Sequence, residues 1–336
     1  MADEMPDPLD VLGDDERRLL RRAPRPGWQA PMLATLTKKP FSDERWIYER
    51  KLDGVRVIAV RSRGQTTLWS RNHKDMTSTY PEIVQAFAPQ QAQDFVADGE
   101  IVAFDGRQTS FAKLQARINL ADPRRIPATG VTVYLYLFDL LVVGDADLTR
   151  LPLRARKRVL RTTFEFGDRV RFSTHRNTEG ERFHADACAR GWEGLIAKRA
   201  DAPYQTGRRS RDWLKFKCVR DQEFVIGGFT DPEGSRQGFG ALLVGYYEGN
   251  RLRYAGKVGT GYNALMLRDL RARMDKIAQS SSPFADPVRE RSAHWVGPEL
   301  VAQIGFTEWT SDGKLRHPRF VGLRTDKDAS EVVREQ

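Results

Sequence analysis

Cysteine is nearly absent: Cys188 and Cys218 are the only two in a chain of 336 residues. Two thiols cannot build a disulfide framework, and neither stands at a zinc-ligand spacing from a histidine. Both are expected to be reduced in a cytoplasm and to fill small core or interface positions. Histidine is almost as scarce. The five copies, His73, His175, His184, His294 and His317, share no ligand spacing and receive no chemistry. Long apolar runs are missing as well. The longest, residues 131–143, is broken by Asp139 and falls short of the roughly 20 residues that cross a bilayer. The N-terminus carries acids and prolines where a secretory signal would carry basic residues and then an apolar stretch. A disulfide scaffold, a zinc module and a helical membrane protein are therefore not expected, and the chain reads as a cytoplasmic protein.

What is present describes an ordinary globular chain, 40% hydrophobic and 30% charged, long enough for two domains. The net charge of +10 is unevenly spread. Residues 221–336 balance, with 16 basic against 16 acidic residues, so the whole excess lies before them and suits a polyanionic partner. Residues 1–26 mix acids, arginines and prolines and read as a mobile leader, with one short helix near residues 15–22. Apolar alternation from Trp46 gives a strand through Lys51 and Val57, and Leu68–Arg71 gives a second after the Arg63-Gly64 turn. A helix opens at Tyr80-Pro81, a strand over residues 95–104 closes on Asp105-Gly106, and residues 111–118 form an amphipathic helix. Residues 131–143 form a buried strand. Residues 153–164 form a basic helix (Arg154, Arg156, Lys157, Arg158, Arg161) whose charges read as a solvated face. A further helix over residues 179–190 ends at Gly191, and strands follow at 193–198 and 213–217. Composition shifts near residues 219–223, placed as a hinge. Beyond it, short glycine-punctuated strands with one inserted helix, capped by Asn263, fit a small barrel of the oligonucleotide-binding type.

The chemistry gathers on Tyr48-Glu49-Arg50-Lys51-Leu52-Asp53-Gly54-Val55-Arg56. A lysine that attacks phosphorus must spend time unprotonated, which neighbouring cations, a metal or burial can bring about. Gly54 would let the backbone approach a ligand, and Arg56 would meet an anion. Asp53 could instead pair with Arg56, and Asp139 could cap a turn. Four more segments put charge on apolar strands: Asp98-Gly99-Glu100, Phe138-Asp139, Glu193-Gly194 and Lys215-Phe216-Lys217. Isolated buried charges are costly, so such residues should line a cleft. A nucleoside triphosphate needs such a set, with an aromatic face for the base, carboxylates for a divalent cation and lysines for phosphate oxygens.

In order and spacing these segments resemble the nucleotidyltransferase motifs of the ATP-dependent DNA ligases. The run Arg316-His317-Pro318-Arg319-Phe320-Val321-Gly322-Leu323-Arg324-Thr325-Asp326-Lys327 resembles that family's last motif. Within the family, Trp295-Val296, Phe306-Thr307-Glu308-Trp309-Thr310 and the glycine-rich run from Gly227 to Gly261 are similar to the ligase module of the bacterial multifunctional end-joining ligases. The resemblance covers about residues 27–328.

It implies an α+β protein. A leader (1–26) precedes a nucleotidyltransferase (adenylation) domain of antiparallel sheets with flanking helices (27–218). A hinge (219–223) and an OB-fold β-barrel (224–336) follow. It implies that Lys51 takes AMP from ATP, that Glu49 helps select adenine, and that Phe138 stacks on the base with Ile196 opposite. Arg56 and Arg71 would meet the nucleotide or the 5′-phosphate of a nick. Glu100 would contact ribose or metal, and Glu193 the metal, Mg2+ or Mn2+. Arg209, Lys215 and Lys217 would hold phosphates, and Arg324 and Lys327 would orient the β- and γ-phosphates. The implied partners are nicked or broken duplex DNA and a Ku-like end-binding protein, with a monomeric, nucleoid-associated enzyme acting in double-strand break repair. Other readings are an RNA ligase, a capping guanylyltransferase, or a DNA-binding module that has kept the fold without catalysis. The extended final motif and the barrel helix favour DNA ligase.

Overall fold

β-branched and aromatic residues crowd the strand segments, and their alternation is what separates buried faces from the site. The computed structural model describes residues 7–37, 39–118, 123–218, 221–232, 234 and 237–335. Contacts divide the chain into two units, Met1–Cys218 and Val219–Gln336.

The first unit contains, in chain order, helix α1 (Asp14–Arg17), strands β1 (Arg21–Arg22), β2 (Leu33–Leu36), β3 (Trp46–Lys51), β4 (Val55–Ser62) and β5 (Gln65–Ser70), helix α2 (Pro81–Phe87), strands β6 (Phe95–Asp105) and β7 (Gln108–Thr109), helix α3 (Phe111–Ile118), strands β8 (Val133–Val143) and β9 (Ala146–Asp147), helix α4 (Leu153–Thr163), strands β10 (Val170–Phe172) and β11 (His175–Arg176), helix α5 (Gly180–Ala189), and strands β12 (Gly194–Arg199) and β13 (Arg209–Lys217). One sheet runs β1-β9-β8-β6-β4-β5, with β10 parallel beside β8 and β7 returning on β6. The other runs β11-β3-β12-β13-β2. A large core of Val55, Val57, Phe95, Leu135, Leu137, Val159 and Leu160 packs α2, α3 and α4 onto the first sheet. A smaller core lies between the two sheets. There Ile58, Val60, Phe138 and Leu141 from the first sheet meet Trp213 from the second and Tyr204 from the loop before β13. That second core fixes the sheets face to face.

The second unit holds strands β14 (Asp221–Thr230), β15 (Leu242–Glu248) and β16 (Arg251–Val258), helix α6 (Ala264–Asp275), and strands β17 (Ala278–Gln279), β18 (Ala293–Val296), β19 (Val301–Gly305), β20 (Glu308–Trp309), β21 (Leu315–Arg316) and β22 (Arg319–Leu323). β14 is shared by two neighbours on one side, β18 at its end and β19 at its start, and β19 carries β22. This curling of one long strand between two partners is how a short-stranded barrel closes. The Asn263 side chain accepts from the Met266 amide at 2.8 Å and caps α6. The α+β class and the barrel-type second unit match the sequence reading.

Several expectations are corrected. Of the supposed mobile leader, residues 1–6 lie outside the described residues. Residues 7–22 are docked: β1 pairs with β9, Leu12 is buried in the main core, and Glu16 pairs with Arg158 of α4 at 2.6 Å. The short helix ends at Arg17, before the expected Arg22, because the chain turns into β1. The cysteines are not free thiols. The fold brings Cys188 and Cys218, 30 residues apart, to a Cα separation of 5.1 Å, and they are joined as a disulfide. Part of the stretch read as a hinge, 219–223, is strand. Residues 219–220 lie outside the described residues, and residues 221–223 already belong to β14, paired with Gly305, Ile304 and Gln303.

Gly54 is also required inside the fold. A Cβ there would sit 2.1 Å from the Ile101 carbonyl oxygen, so its close approach is to the neighbouring strand.

Candidate active site

The register of the second sheet assembles the site. Gly194 of β12 lies opposite both Lys51 of β3 and Lys217 of β13, Ile196 lies opposite Glu49 and Lys215, and Lys198 lies opposite Ile47 and Trp213. Directly paired residues share a face. One face of this sheet therefore carries Lys51, Glu49, Ile196, Lys198, Lys215 and Lys217, and the other packs Tyr48, Leu195, Ala197 and Phe216 into a separate core with α5. Lys51 forms an ion pair with Glu193, the residue just before β12. Gly194, at φ +147, holds that corner. A Cβ there would stand 1.9 Å from the Phe216 carbonyl oxygen, so only glycine lets β12 begin beside Lys217.

Opposite this face, the first sheet brings Arg56 level with Glu100, and Asp98 level with both Ile58 and Asp139. The Arg56 guanidinium grips Asp98 through two bonds of 2.5 Å. The Tyr204 hydroxyl donates to the same carboxylate at 2.6 Å. Burial works against the Arg56 charge, but Asp98 outweighs it and holds the guanidinium protonated. Arg56 thus pairs with Asp98, and Asp53 instead accepts from the Phe111 amide at 3.0 Å, where it starts α3. The Phe138 ring is flanked by two cations, the Arg56 guanidinium at 4.6 Å and the Lys198 ammonium at 4.0 Å. Trp213 meets Phe138 edge-on at 6.1 Å.

Glu49 lies beneath. It is buried and ion-paired with Lys157 of α4 at 2.5 Å and Lys198 at 2.8 Å. Burial would raise its carboxyl pKa, yet the two lysine charges win and hold it below the usual range. The same burial draws Lys198 down to about 8, only partly offset by Glu49. His175, opposite Glu49 in the β11–β3 pair, is pushed down to about 4 by burial and then by the Lys157 charge. Its imidazole is neutral at neutral pH.

Of the residues singled out in the sequence, Lys51, Glu193, Lys217, Glu49, Ile196 and Lys215 share one sheet face or its rim, and Phe138, Arg56 and Glu100 stand on the other sheet. Arg71 follows β5. Arg209 is exposed at the start of β13, eight residues before Lys217, and donates to the Ala34 carbonyl. Arg324 and Lys327 belong to the second unit, where Arg324 pairs with Asp326 at 2.8 Å and Lys327 with Glu223 at 3.3 Å.

The sequence reading gave Lys157 no role, left Lys198 between a surface lysine and a phosphate contact, and put Asp98 on a cleft-lining strand without finding its partner Arg56. It also misread α4, whose Arg156 and Lys157 are buried and answer Asp139 and Glu49. Asp139 is accordingly an ion-pair partner, with Arg156 at 2.7 Å, more than a turn cap. The signal was there: positions 153, 156, 157 and 160 share the i, i+3, i+4, i+7 spacing of a buried stripe.

Two family models match this layout in order. The ATP dependent DNA ligase domain matches residues 31–217, which hold the whole constellation of Lys51, and the ATP dependent DNA ligase C terminal region matches residues 235–327. The chain belongs to the ATP-dependent DNA ligase family. The multifunctional non-homologous end joining protein LigD of Pseudomonas aeruginosa is 39% identical over 323 residues, 94% of this chain and 38% of that protein. Its counterpart from Mycobacterium bovis is 37% identical over 315 residues, 91% of this chain and 40% of the relative. The chain thus spans about two fifths of the length of these relatives. Among solved structures it is similar to a mycobacterial DNA ligase D complexed with ATP and MES, at 33% identity and a TM-score of 0.66, covering 91% of this chain and 98% of that one. No helix among the described residues is long and apolar enough to cross a membrane.

Proposed function

We propose that this ligase seals nicks or ends in duplex DNA through a covalent lysyl-AMP. The observation that carries the reading is the ladder that sets Lys51, Gly194 and Lys217 side by side, with Glu193 paired to Lys51. In the first step the Lys51 amine attacks the α-phosphorus of ATP, a P–N bond forms, and pyrophosphate leaves. AMP then passes to a 5′-phosphate, and a 3′-hydroxyl displaces it to close the strand.

Phosphoryl transfer asks the protein mainly for alignment and charge neutralisation. Phe138 stacks on adenine with Ile196 opposite, and Glu49 accepts from the exocyclic amine. Lys215, Lys217 and Arg209 hold phosphate oxygens, and Arg56 and Arg71 meet the nucleotide or the nick. Arg324 and Lys327, on the barrel unit, orient the departing pyrophosphate. Residues 27–218 thus act as the adenylation domain and residues 224–336 as the OB-fold domain. Glu100 and Glu193 offer hard carboxylate oxygens, the donor type that suits Mg2+ or Mn2+. Such an ion would supply charge neutralisation at the phosphates. The basic first unit would bind the DNA backbone, and monomeric action with a Ku-like partner in double-strand break repair, in a bacterial cytoplasm, completes the reading.

The test is to incubate the protein with ATP and Mg2+ and weigh it. A gain of one AMP that disappears in Lys51→Ala is expected, followed by sealing of a nicked duplex. Labelling by GTP in preference to ATP, or an adenylate that never reaches DNA, would overturn the assignment.

A further inference from the structure

His184 and Cys188 stand four residues apart on α5 and so project from one side of it. Across from them is Cys218, the residue that ends the first unit. The nearer imidazole nitrogen, Nε2, lies 3.6 Å from Cys188 Sγ and 3.9 Å from Cys218 Sγ. All three side chains are half-buried, so solvent reaches them.

These distances are those of a soft-metal site. In a tetrahedral zinc centre, bonds of about 2.3 Å to sulfur and 2.05 Å to nitrogen set sulfur and nitrogen about 3.6 Å apart and two sulfurs about 3.8 Å apart. The nitrogen–sulfur spacings already fit. Only the sulfurs must separate, which cleavage of their bond permits. The position is also consequential, since the Cys218 amide donates to the Glu193 carbonyl at 2.9 Å, directly behind the carboxylate that pairs with Lys51.

We infer that His184, Cys188 and Cys218 form a thiol site that is either closed as the disulfide or, once reduced, takes one Zn2+-class cation. Reduction by a dithiol transfers two electrons and two protons to the sulfurs, and the dithiol becomes the disulfide. Zinc then replaces two thiol protons, with water in the fourth position. This inference concerns the thiol cluster alone and stands whether or not the ligase reading does.

The full chain is reduced with a phosphine, freed of reductant and titrated with Zn2+ against a chromophoric chelator, with Co2+ as a spectroscopic substitute. One metal per chain is expected, with a thiolate-to-cobalt charge-transfer band and release of two protons. Retention should fall at least about 100-fold in Cys188→Ser and in Cys218→Ser, and about 10-fold or more in His184→Ala. The oxidised wild-type chain, which needs no substitution to fold, should retain none. Two free thiols with no retained metal would overturn the inference. Metal retained equally by the oxidised chain or by the serine variants would also overturn it, since the ion would then sit elsewhere.

Discussion

The two units bury different things. Among the described residues, the first unit hides eight charged side chains, Glu49, Arg61, Asp98, Arg117, Asp139, Arg156, Lys157 and Lys198, whereas the second hides one, Asp326. The barrel is built from hydrocarbon and aromatic rings, with Phe224, Phe306 and Trp309 in mutual edge contact. A desolvated charge is tolerable only beside an opposite one or, as with Arg61, under several carbonyl oxygens. The first unit meets that constraint between its two sheets, where Glu49 is answered by Lys157 and Lys198 and Asp98 by Arg56. The second has no such demand in its core and uses ordinary packing.

The sharpest way to break this contrast is to strip one charge. Arg156→Ala leaves Asp139 buried with no guanidinium, and both side chains are 0% exposed. A loss of about 3–5 kcal/mol is expected in urea unfolding. In the barrel the comparable injury is a cavity: Phe224→Ala should cost about 3–5 kcal/mol for a different reason, the missing ring. The two are told apart by compensation. Replacing both Arg156 and Asp139 by apolar residues of similar volume should recover most of the first loss, because no charge is then stranded. If the double variant is as unstable as Arg156→Ala, the charge argument fails.

The contrast also has a pH signature. His175 stays neutral in the fold down to about 4, against an ordinary value of 6.5. The unfolded chain therefore binds the proton first, and stability falls as pH drops from 6.5 toward 4. His175→Asn should flatten that limb in acid titrations of the melting temperature. Lys198 gives the basic counterpart. With its pKa drawn from 10.5 to about 8, the folded chain loses its proton first, so stability should rise with pH between those values, and Lys198→Met should remove the rise. The smallest effect belongs to the exposed pair Arg273–Asp269 on α6, where Arg273→Ala should change stability by no more than about 0.5 kcal/mol.

Much of this was legible in the sequence. Strand alternation located β3, β6 and β8, the Pro81 start and the Gly191 stop located α2 and α5, and charges on apolar strands located Lys51 and Glu193. What escaped depends on contacts between segments far apart in the chain. Lys157 looks like one more cation in a basic run until α4 is laid against β3 and its partner Glu49 appears. Lys198 reads equally as a surface lysine or a phosphate contact until Phe138 and Trp213 close over it. The cysteines escaped for the same reason, since local spacing says nothing about the meeting of α5 with the end of β13.

The docking of residues 7–22 carries a practical consequence for anyone preparing this protein. The family-matched span starts at residue 31, and cutting the chain there would be a natural economy. Such a cut would remove β1 from the rim of its sheet and strip Leu12 and Glu16 from the back of α4. An apolar hollow and an unpaired sheet edge would then face solvent, and these are the features that make a truncated domain stick to its neighbours.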